Sequence, residues 1–169
     1  MPLRIVQPDI QYQNSYLEAV EEFMAEGVRP EWKLEIMREH FAEFVQTLRD
    51  KATHPLAGLV PETVLWSVLN DTFIGRVSIR HRLQGNLINF GGHIGYEIRP
   101  SARRKGYGTQ QLALALPVVA ALGIRRVLIT CDDDNIGSIR IIEHNGGVLE
   151  NKVDNGRHAL TRRYWISLS

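Results

Sequence analysis

Three things are scarce in this chain: cysteine, long apolar runs and net charge. The single Cys131 excludes an internal disulfide and favours a reducing compartment. No apolar stretch approaches the roughly 20 residues of a membrane-spanning helix, and residues 1–6 contain no apolar signal region. A formal net charge of +1 provides no whole-protein field that would attract nucleic acid or a membrane surface. We therefore expect a cytoplasmic protein without nucleic-acid or membrane partners.

What the chain does contain is typical of one globular domain. Hydrophobic residues make up 44% and charged residues 23% of its 169 positions. The sequence has no internal repeats and no low-complexity segments. We expect residues 1–169 to form a single domain.

Hydrophobic spacing and turn residues predict the element order βααβββαβαββ. Strands are expected over residues 3–8, 62–69, 72–82, 93–99, 126–131, 148–153 and 160–167, and helices over 9–26, 31–49, 109–122 and 135–144. The Asn70-Asp71 pair predicts a tight hairpin between the second and third strands. This alternation predicts an α/β domain in which helices cover a mixed sheet.

One basic, glycine-spaced loop lies between a predicted strand and a predicted helix. It reads Arg103-Arg104-Lys105-Gly106-Tyr107-Gly108. A strand that turns into a helix here leaves backbone N–H groups free, and the positive end of the helix dipole adds to them. Cationic side chains beside such a site favour phosphate over a lone carboxylate. The loop is therefore predicted to hold a diphosphate.

Three common binding motifs do not fit this loop. A P-loop needs G-x-x-x-x-G-K-[ST], which the sequence lacks. A dinucleotide fingerprint needs a third glycine, whereas Gly108 is followed by Thr109-Gln110-Gln111. Residues 105–108 match the start of an RNA-binding strand motif, but that motif continues as an alternating aromatic strand, and residues 109–116 are typical of a helix.

The loop resembles the acetyl-CoA signature of the GCN5-related N-acetyltransferase (GNAT) superfamily, which reads Arg103-x-x-Gly106-x-Gly108 here. Glu97-Ile98-Arg99-Pro100-Ser101 resembles the strand and proline turn before that signature. Asn135-x-x-Ser138-x-x-x-Ile142, followed by Asn145-Gly146-Gly147, resembles the later cofactor-side helix. These blocks place an acetyl-CoA-binding core at residues 93–150, while residues 1–90 form an acceptor-side half that matches in element order alone. The resemblance implies a single GNAT-like domain with a mixed, mostly antiparallel, twisted sheet of about seven strands and helices on both faces.

The resemblance also implies the residues that bind acetyl-CoA, the co-substrate. Backbone N–H groups from Arg103 to Thr109 would hold the diphosphate, and Gly106 and Gly108 would let its oxygens approach the chain. The backbone of Ile98, with Glu97 or Arg99 beside it, would bind the pantetheine amides. Asn135 would bind the pantetheine arm from the other side, a role compatible with capping a helix. The predicted cofactor-binding set is Ile98, Arg99, Arg103, Arg104, Lys105, Gly106, Tyr107, Gly108, Thr109 and Asn135.

Transfer of an acetyl group to an amine needs a base and a donor for the departing thiolate. Glu97 is the first candidate base, and His93, four residues earlier on the same strand face, is the second. Many family members carry a tyrosine as the acid seven residues after the asparagine, but this position is Ile142 here. Ser138, one helical turn after Asn135, is the remaining candidate acid, and solvent is the other proton source.

The resemblance implies an acetyl-CoA-dependent N-acetyltransferase that acts on a primary amine of a small molecule or peptide by direct transfer. The alternative is a catalytically silent CoA-binding sensor or interaction module, which the missing tyrosine at Ile142 favours. The acidic run 132–134, together with Glu97, favours a cationic acceptor; its adjacent carboxylates converge too poorly to predict a metal site. The apolar segment Tyr164-Trp165-Ile166 would allow strand pairing across a homodimer.

Overall fold

A seven-stranded sheet carries helices on both of its faces in the computed structural model, which describes residues 2–169. The strands are β1 (Arg4–Val6), β2 (Glu62–Leu69), β3 (Thr72–Arg80), β4 (Ile94–Ile98), β5 (Arg126–Asp132), β6 (Val148–Val153) and β7 (Thr161–Ser167). The helices are α1 (Gln13–Ala25), α2 (Leu34–Glu39), α3 (Phe41–Asp50), α4 (Tyr107–Ala121) and α5 (Ile136–His144). None of these helices, in the described part of the chain, has the length and apolar character needed to cross a membrane. The predicted α/β fold, with helices on both faces of the sheet, is confirmed.

The strand order of the sheet is β1-β2-β3-β4-β5-β7-β6. Neighbouring strands pair antiparallel, except β4 and β5, which run parallel. The Asn70-Asp71 turn joins β2 to β3 as predicted, with Asn70 in the left-handed region at φ 56°. Because β7 lies between β5 and β6, Tyr164 and Trp165 are paired on both sides, and Ile166 is paired with β5. The predicted pairing of this segment across a dimer is therefore wrong.

The helix predicted over residues 31–49 is two helices in the structure. α2 ends and α3 begins on either side of His40, whose backbone angles of φ −125° and ψ 40° are not helical. Met37 and Phe41, before and after the break, lie in the same apolar cluster. The apolar spacing therefore continues through the break, and the sequence pattern contains no signal for it. α2 contacts both α1 and α3, so the break lies within the packed α1–α3 layer.

Alternating side chains of β2 belong to two different cores. Val64, Trp66 and Val68 pack with α1, α2 and α3, where Trp66 stacks on Tyr16 with ring centroids 4.5 Å apart. Leu65 belongs to the opposite core, which α4 and α5 cover. The sheet therefore separates an α1–α3 side from an α4–α5 side, and a site that joins the two sides must lie at an edge or a gap in the sheet.

Candidate active site

The sheet has such a gap between β4 and β5. Within residues 2–169 these parallel strands pair at Ile94 and Ile129, and the pairing does not continue toward their C-terminal ends, where α4 and α5 begin. The Arg99 N–H binds β3, so the alternating backbone of β4 directs the polar groups of Tyr96 and Ile98 toward the gap. The gap therefore offers a free strand edge and two helix N-termini to one elongated ligand.

The loop between β4 and α4 presents a row of free backbone N–H groups. The Gln110 N–H binds the carbonyl of Gly106, but no acceptor within the described chain reaches the N–H groups of Arg104 through Thr109. Gly106 has φ +83°, and a Cβ there would come no nearer than 3.8 Å to another atom, so glycine is needed for its left-handed backbone rather than for space. Arg104 also has a positive φ, of 62°. The loop thus has the geometry of an anion site at a helix N-terminus.

The cationic side chains of this loop differ in their availability. Arg103 donates to both carboxylate oxygens of Glu26, at 3.0 and 2.8 Å, and to the Ile98 carbonyl at 3.1 Å. Arg104 and Lys105 are exposed and make no ion pair among residues 2–169. Arg103 therefore braces the loop against α1, while Arg104 and Lys105 can turn toward an anion.

Arg99, predicted as a cofactor-binding residue, is buried against α1 instead. Its guanidinium binds the Glu22 carboxylate and the Ser15 hydroxyl, and it donates to the Phe73 carbonyl at 3.0 Å. Burial by itself would raise the pKa of Glu22, but the hydrogen bonds from Arg99 and Ser101 outweigh that effect and lower it. Neither the guanidinium nor the backbone N–H of Arg99 is available to a cofactor. This residue fixes the end of β4 to α1.

Gly108 contacts α5 rather than open space. A Cβ at this position would lie 2.5 Å from Cδ1 of Ile141 and 3.3 Å from its Cγ1. The geometry therefore assigns Gly108 to the close packing of α4 on α5, and the predicted role of making room for phosphate oxygens stays a prediction.

α5 brings two predicted residues to the other wall of the gap. Asn135 caps the helix, with its Oδ1 accepting from the Ser138 N–H at 3.1 Å. The Ser138 Oγ lies 2.6 Å from the hydroxyl of Tyr96 on β4, so this bond bridges the two walls. Sequence reasoning missed Tyr96. The available signal was its place next to Glu97, because adjacent strand residues face opposite sides.

A cleft of about 350 Å³ occupies the gap, and Gly95, Tyr96, Cys131, Asn135 and Ser138 are among the residues that line it. Burial raises the pKa of Tyr96 to about 12, and the bond to Ser138 offsets only part of that rise. Burial likewise raises the pKa of Cys131 to about 11. Both side chains therefore stay protonated near neutral pH, and Cys131 is a poor nucleophile.

Glu97 lines a second cavity, of about 260 Å³, on the opposite side of β4 beneath α1, α2 and α3. Phe23, Phe44 and Tyr16 are among its apolar and aromatic walls, and burial raises the pKa of Tyr16. The Glu97 carboxylate lies 3.3 Å from Nε of Arg76, and these side chains are 39% and 34% exposed. An ion pair this exposed contributes under about 1 kcal/mol, so Glu97 can exchange Arg76 for another partner at little cost.

His93, the second candidate base, does not line this cavity. The imidazole Nδ1 of His93 accepts a hydrogen bond from the Leu128 backbone N–H at 2.9 Å. The backbone N–H of His93 donates to the Leu128 carbonyl at 2.7 Å. Burial lowers the pKa of the imidazole. His93 therefore holds β4 and β5 together at the closed end of the gap. Of the two candidate bases, Glu97 is the one with access to the cavity.

Each carboxylate of the acidic run 132–134 has a partner: two are paired with cationic side chains and the third with a histidine. The pairs are Asp132 with Arg157 at 3.1 Å, Asp133 with Lys152 at 3.0 Å and with Arg162 at 2.5 Å, and Asp134 with His158 at 3.0 Å. Asp132, Asp134 and His158 hold their ligand-type atoms within 4.8 Å of one another, but each already has one of these partners. Two of the three carboxylates in the run, Asp132 and Asp133, are therefore already paired with cations, which weakens the predicted preference for a cationic acceptor.

Solved structures share this architecture. Mycobacterium smegmatis RimJ in complex with CoA-disulfide matches with a TM-score of 0.72 and 16% identity over 98% of this chain and 81% of that one. RimL, a ribosomal-protein alpha-N-acetyltransferase, in complex with coenzyme A matches with a TM-score of 0.68 and 18% identity over 98% and 94%. yncA of Salmonella typhimurium with acetyl-CoA matches with a TM-score of 0.59 and 16% identity over 99% and 94%. At these identities the likeness shows a shared fold.

Family membership rests on the sequence itself. A comparison with curated proteins gave no match. The family model described as an acetyltransferase (GNAT) domain matches residues 7–148. Because this match extends over most of the chain, the protein belongs to the GNAT family of acetyltransferases.

Proposed function

We propose that the protein is an acetyl-CoA-dependent N-acetyltransferase that transfers the acetyl group directly to a primary amine. The position of β4 between two cavities carries this proposal: Tyr96 lines the cleft in the gap, while Glu97, the next residue, lines the cavity beneath α1–α3. Because adjacent strand residues face opposite sides, a thioester in the cleft and an amine in the cavity would meet at the edge of one strand. Direct transfer requires such a meeting, since no acyl-enzyme carries the acetyl group between separate sites.

CoA would extend from the loop into the gap. Its diphosphate would bind the N–H groups of Arg104 through Thr109, with charge from Arg104 and Lys105. The pantetheine arm would bind the free edge of β4 at Tyr96 and Ile98, with Asn135 and Ser138 on its other side. The CoA and acetyl-CoA in the RimJ, RimL and yncA complexes support this choice of ligand.

The chemistry would proceed across the edge of β4. Glu97 would take a proton from the amine, directly or through water, so that a neutral amine attacks the thioester carbonyl. The Tyr96 N–H, which faces the gap, would stabilise the developing oxyanion. The C–S bond then breaks on the side of the cleft that holds Ser138. Because an ordinary thiol has a pKa of about 8.5, the thiolate is an acceptable leaving group.

The cavity beneath α1–α3 favours an amine attached to an apolar or aromatic group. Its apolar walls include Phe23, Met37 and Phe44. Its charged lining residues sum to +1, from three cations minus two carboxylates: Arg29, Lys51 and Arg76 against Glu31 and Glu97. This lining has no excess of carboxylates to attract a polycation, and its apolar walls suit a small monoamine or the first residue of a peptide. RimL acts on the alpha-amino group of a protein, which supports a peptide as the acceptor.

The test combines CoA binding with an acceptor screen. Purified protein is incubated with acetyl-CoA and a panel of primary amines and peptides, and acetylated products are detected by mass. We expect turnover with monoamines that carry an apolar group. Glu97→Gln should lower kcat by about 10²–10⁴ without changing CoA affinity.

The matched control is Glu18→Gln, on the exposed face of α1, which should keep the wild-type kcat. CoA binding without acetylation of any acceptor would favour the silent CoA-binding module. Failure to bind CoA would refute the proposal.

A further inference from the structure

Two hydroxyl groups meet across the cleft, and only one of their two protons is used between them. The Tyr96 and Ser138 oxygens lie 2.6 Å apart, and in residues 2–169 neither has another protein partner. Each hydroxyl carries one proton that it can donate. One donor of the pair therefore remains for a third group inside the cleft.

The acidity of the two groups decides which proton remains. A phenol is a more acidic donor than an alkyl alcohol, so Tyr96 donates and Ser138 accepts. Burial keeps the pKa of Tyr96 at about 12, so the phenol retains its proton across the working pH range. The Ser138 proton is then directed away from Tyr96. Two other donors that line the cleft are directed elsewhere, as Thr130 donates to the Phe90 carbonyl at 2.6 Å and Arg157 to Asp132 at 3.1 Å.

We propose that Ser138 donates a hydrogen bond to the CoA sulfur as the thiolate departs, and that Tyr96 is the positioning residue that directs this proton. The inference rests on the acetyltransferase function proposed above. In this step the amine nitrogen bonds to the carbonyl carbon, the C–S bond breaks, and its electron pair stays on sulfur. The acceptor ammonium loses two protons on becoming an amide: Glu97 takes the first before attack and passes it to solvent, and it takes the second as the intermediate collapses. The thiolate finally takes a proton from solvent.

Tyr96 does not itself protonate the sulfur. An ordinary thiol has a pKa of about 8.5, so a phenol of much higher pKa does not give up its proton to a thiolate. A hydrogen bond from Ser138 stabilises the negative sulfur without moving that proton. Ile142, on the same helix as Ser138, is buried and has no hydroxyl, whereas Tyr96 brings a hydroxyl from the opposite wall.

The test is the pH dependence of CoA affinity, which requires no acceptor. A hydrogen bond to the thiolate lowers the pKa of the bound thiol, so CoA should bind more tightly as the pH rises. One unit of lowering gives about a tenfold tighter Kd between about pH 7 and about pH 9.5. Desulfo-CoA, which has no thiol, is the reference at each pH. Both are titrated calorimetrically under a reductant, so that Cys131 cannot form a mixed disulfide with CoA.

We expect wild-type protein to show this tightening for CoA and not for desulfo-CoA, and Ser138→Ala and Tyr96→Phe to lose it. Ser138→Thr, which keeps a hydroxyl, should retain it. The matched control is Tyr164→Phe, since the Tyr164 hydroxyl is bound by Glu143 and Arg162 outside the cleft lining.

Full pH dependence in Tyr96→Phe, or equal behaviour of CoA and desulfo-CoA in the wild type, would overturn the inference while the proposed function stands. If Tyr96→Phe fails to fold, the Ser138→Ala variant tests the inference, and full pH dependence of CoA affinity in that variant would overturn it. A wild type that binds neither ligand refutes the proposed function and this inference together.

Discussion

Replacing Gly108 with alanine distinguishes a helix-packing role from a ligand-approach role. The new Cβ would lie 2.5 Å from Cδ1 of Ile141 and 3.3 Å from its Cγ1, so something must move. Ile141 is a β-branched, partly buried side chain between α4 and α5 whose restricted χ1 holds Cγ1 in place, so either Cδ1 turns about χ2 or the two helices separate slightly. Overpacking of this kind costs about 1–3 kcal/mol.

One smaller effect acts in the opposite direction. Alanine stabilises a helix interior by about 1 kcal/mol relative to glycine, and by less in a first turn such as that of Gly108. The net loss should therefore be about 1–2 kcal/mol. For a chain of this length the melting temperature falls by about 2–4 °C per kcal/mol, which gives a fall of about 2–8 °C.

A double-mutant cycle with Ile141→Val supplies the assay. Valine lacks the Cδ1 atom that the new Cβ would meet at 2.5 Å. The valine variant alone should cost about 0.5–1.5 kcal/mol. If the clash is real, the double variant will be less destabilised than the sum of the single variants, by about 1 kcal/mol. Urea unfolding measures the cycle, and CoA titration of each variant runs beside it.

One result would refute the packing role. If Gly108→Ala unfolds like wild type, loses CoA affinity, and is not rescued by Ile141→Val, then the glycine serves the approach of the ligand.

Other variants probe the loop, the buried ion pair and the cysteine. Replacing both Arg104 and Lys105 with alanine should weaken CoA binding by about tenfold or more and reduce its salt dependence; an unchanged Kd in calorimetry would remove both residues from the diphosphate site. Glu22→Gln should destabilise the protein by about 1–3 kcal/mol at neutral pH, because the buried Arg99 loses its counter-charge. Since the folded state lowers the pKa of Glu22, this stability is present above the ordinary carboxyl pKa and is lost as the pH falls through the lowered value. Unfolding curves of variant and wild type should therefore converge in acid, and a constant difference would contradict the ion-pair account. Alkylation of Cys131 should be slow at neutral pH and rise about tenfold per pH unit toward its pKa of about 11. Saturating CoA should protect this thiol, and equal rates with and without CoA, followed by mass spectrometry, would exclude CoA from the gap.

Features that depend on neighbours in sequence could be predicted. The Asn70-Asp71 hairpin, the strand predicted over 93–99 and the loop that opens α4 each lie within a few residues, so backbone conformation and side-chain type specify them to within a residue or two. The cap of α5 by Asn135 is equally local. The same locality explains the errors at helix boundaries, because the apolar spacing runs through His40 without a break.

Features that depend on what covers a side chain could not be predicted. Strand alternation places Glu97 and Tyr96 on opposite faces, but it does not say that one meets a cavity under α1–α3 and the other meets Ser138. Arg99 is typical of a phosphate ligand by residue type, and only the position of Glu22 on α1 turns it inward.

The sequence by itself therefore determined the order of the strands, the glycine-spaced loop before α4 and the family, since each is encoded in contiguous motifs. Tertiary structure alone decided which residues of those motifs are available. Gly108 is held against Ile141, Arg103 is bound to Glu26, and Arg104 and Lys105 remain exposed. Availability depends on burial and on partners from distant parts of the chain, and these exist only once the sheet has brought α1, α4 and α5 around the open edge of β4.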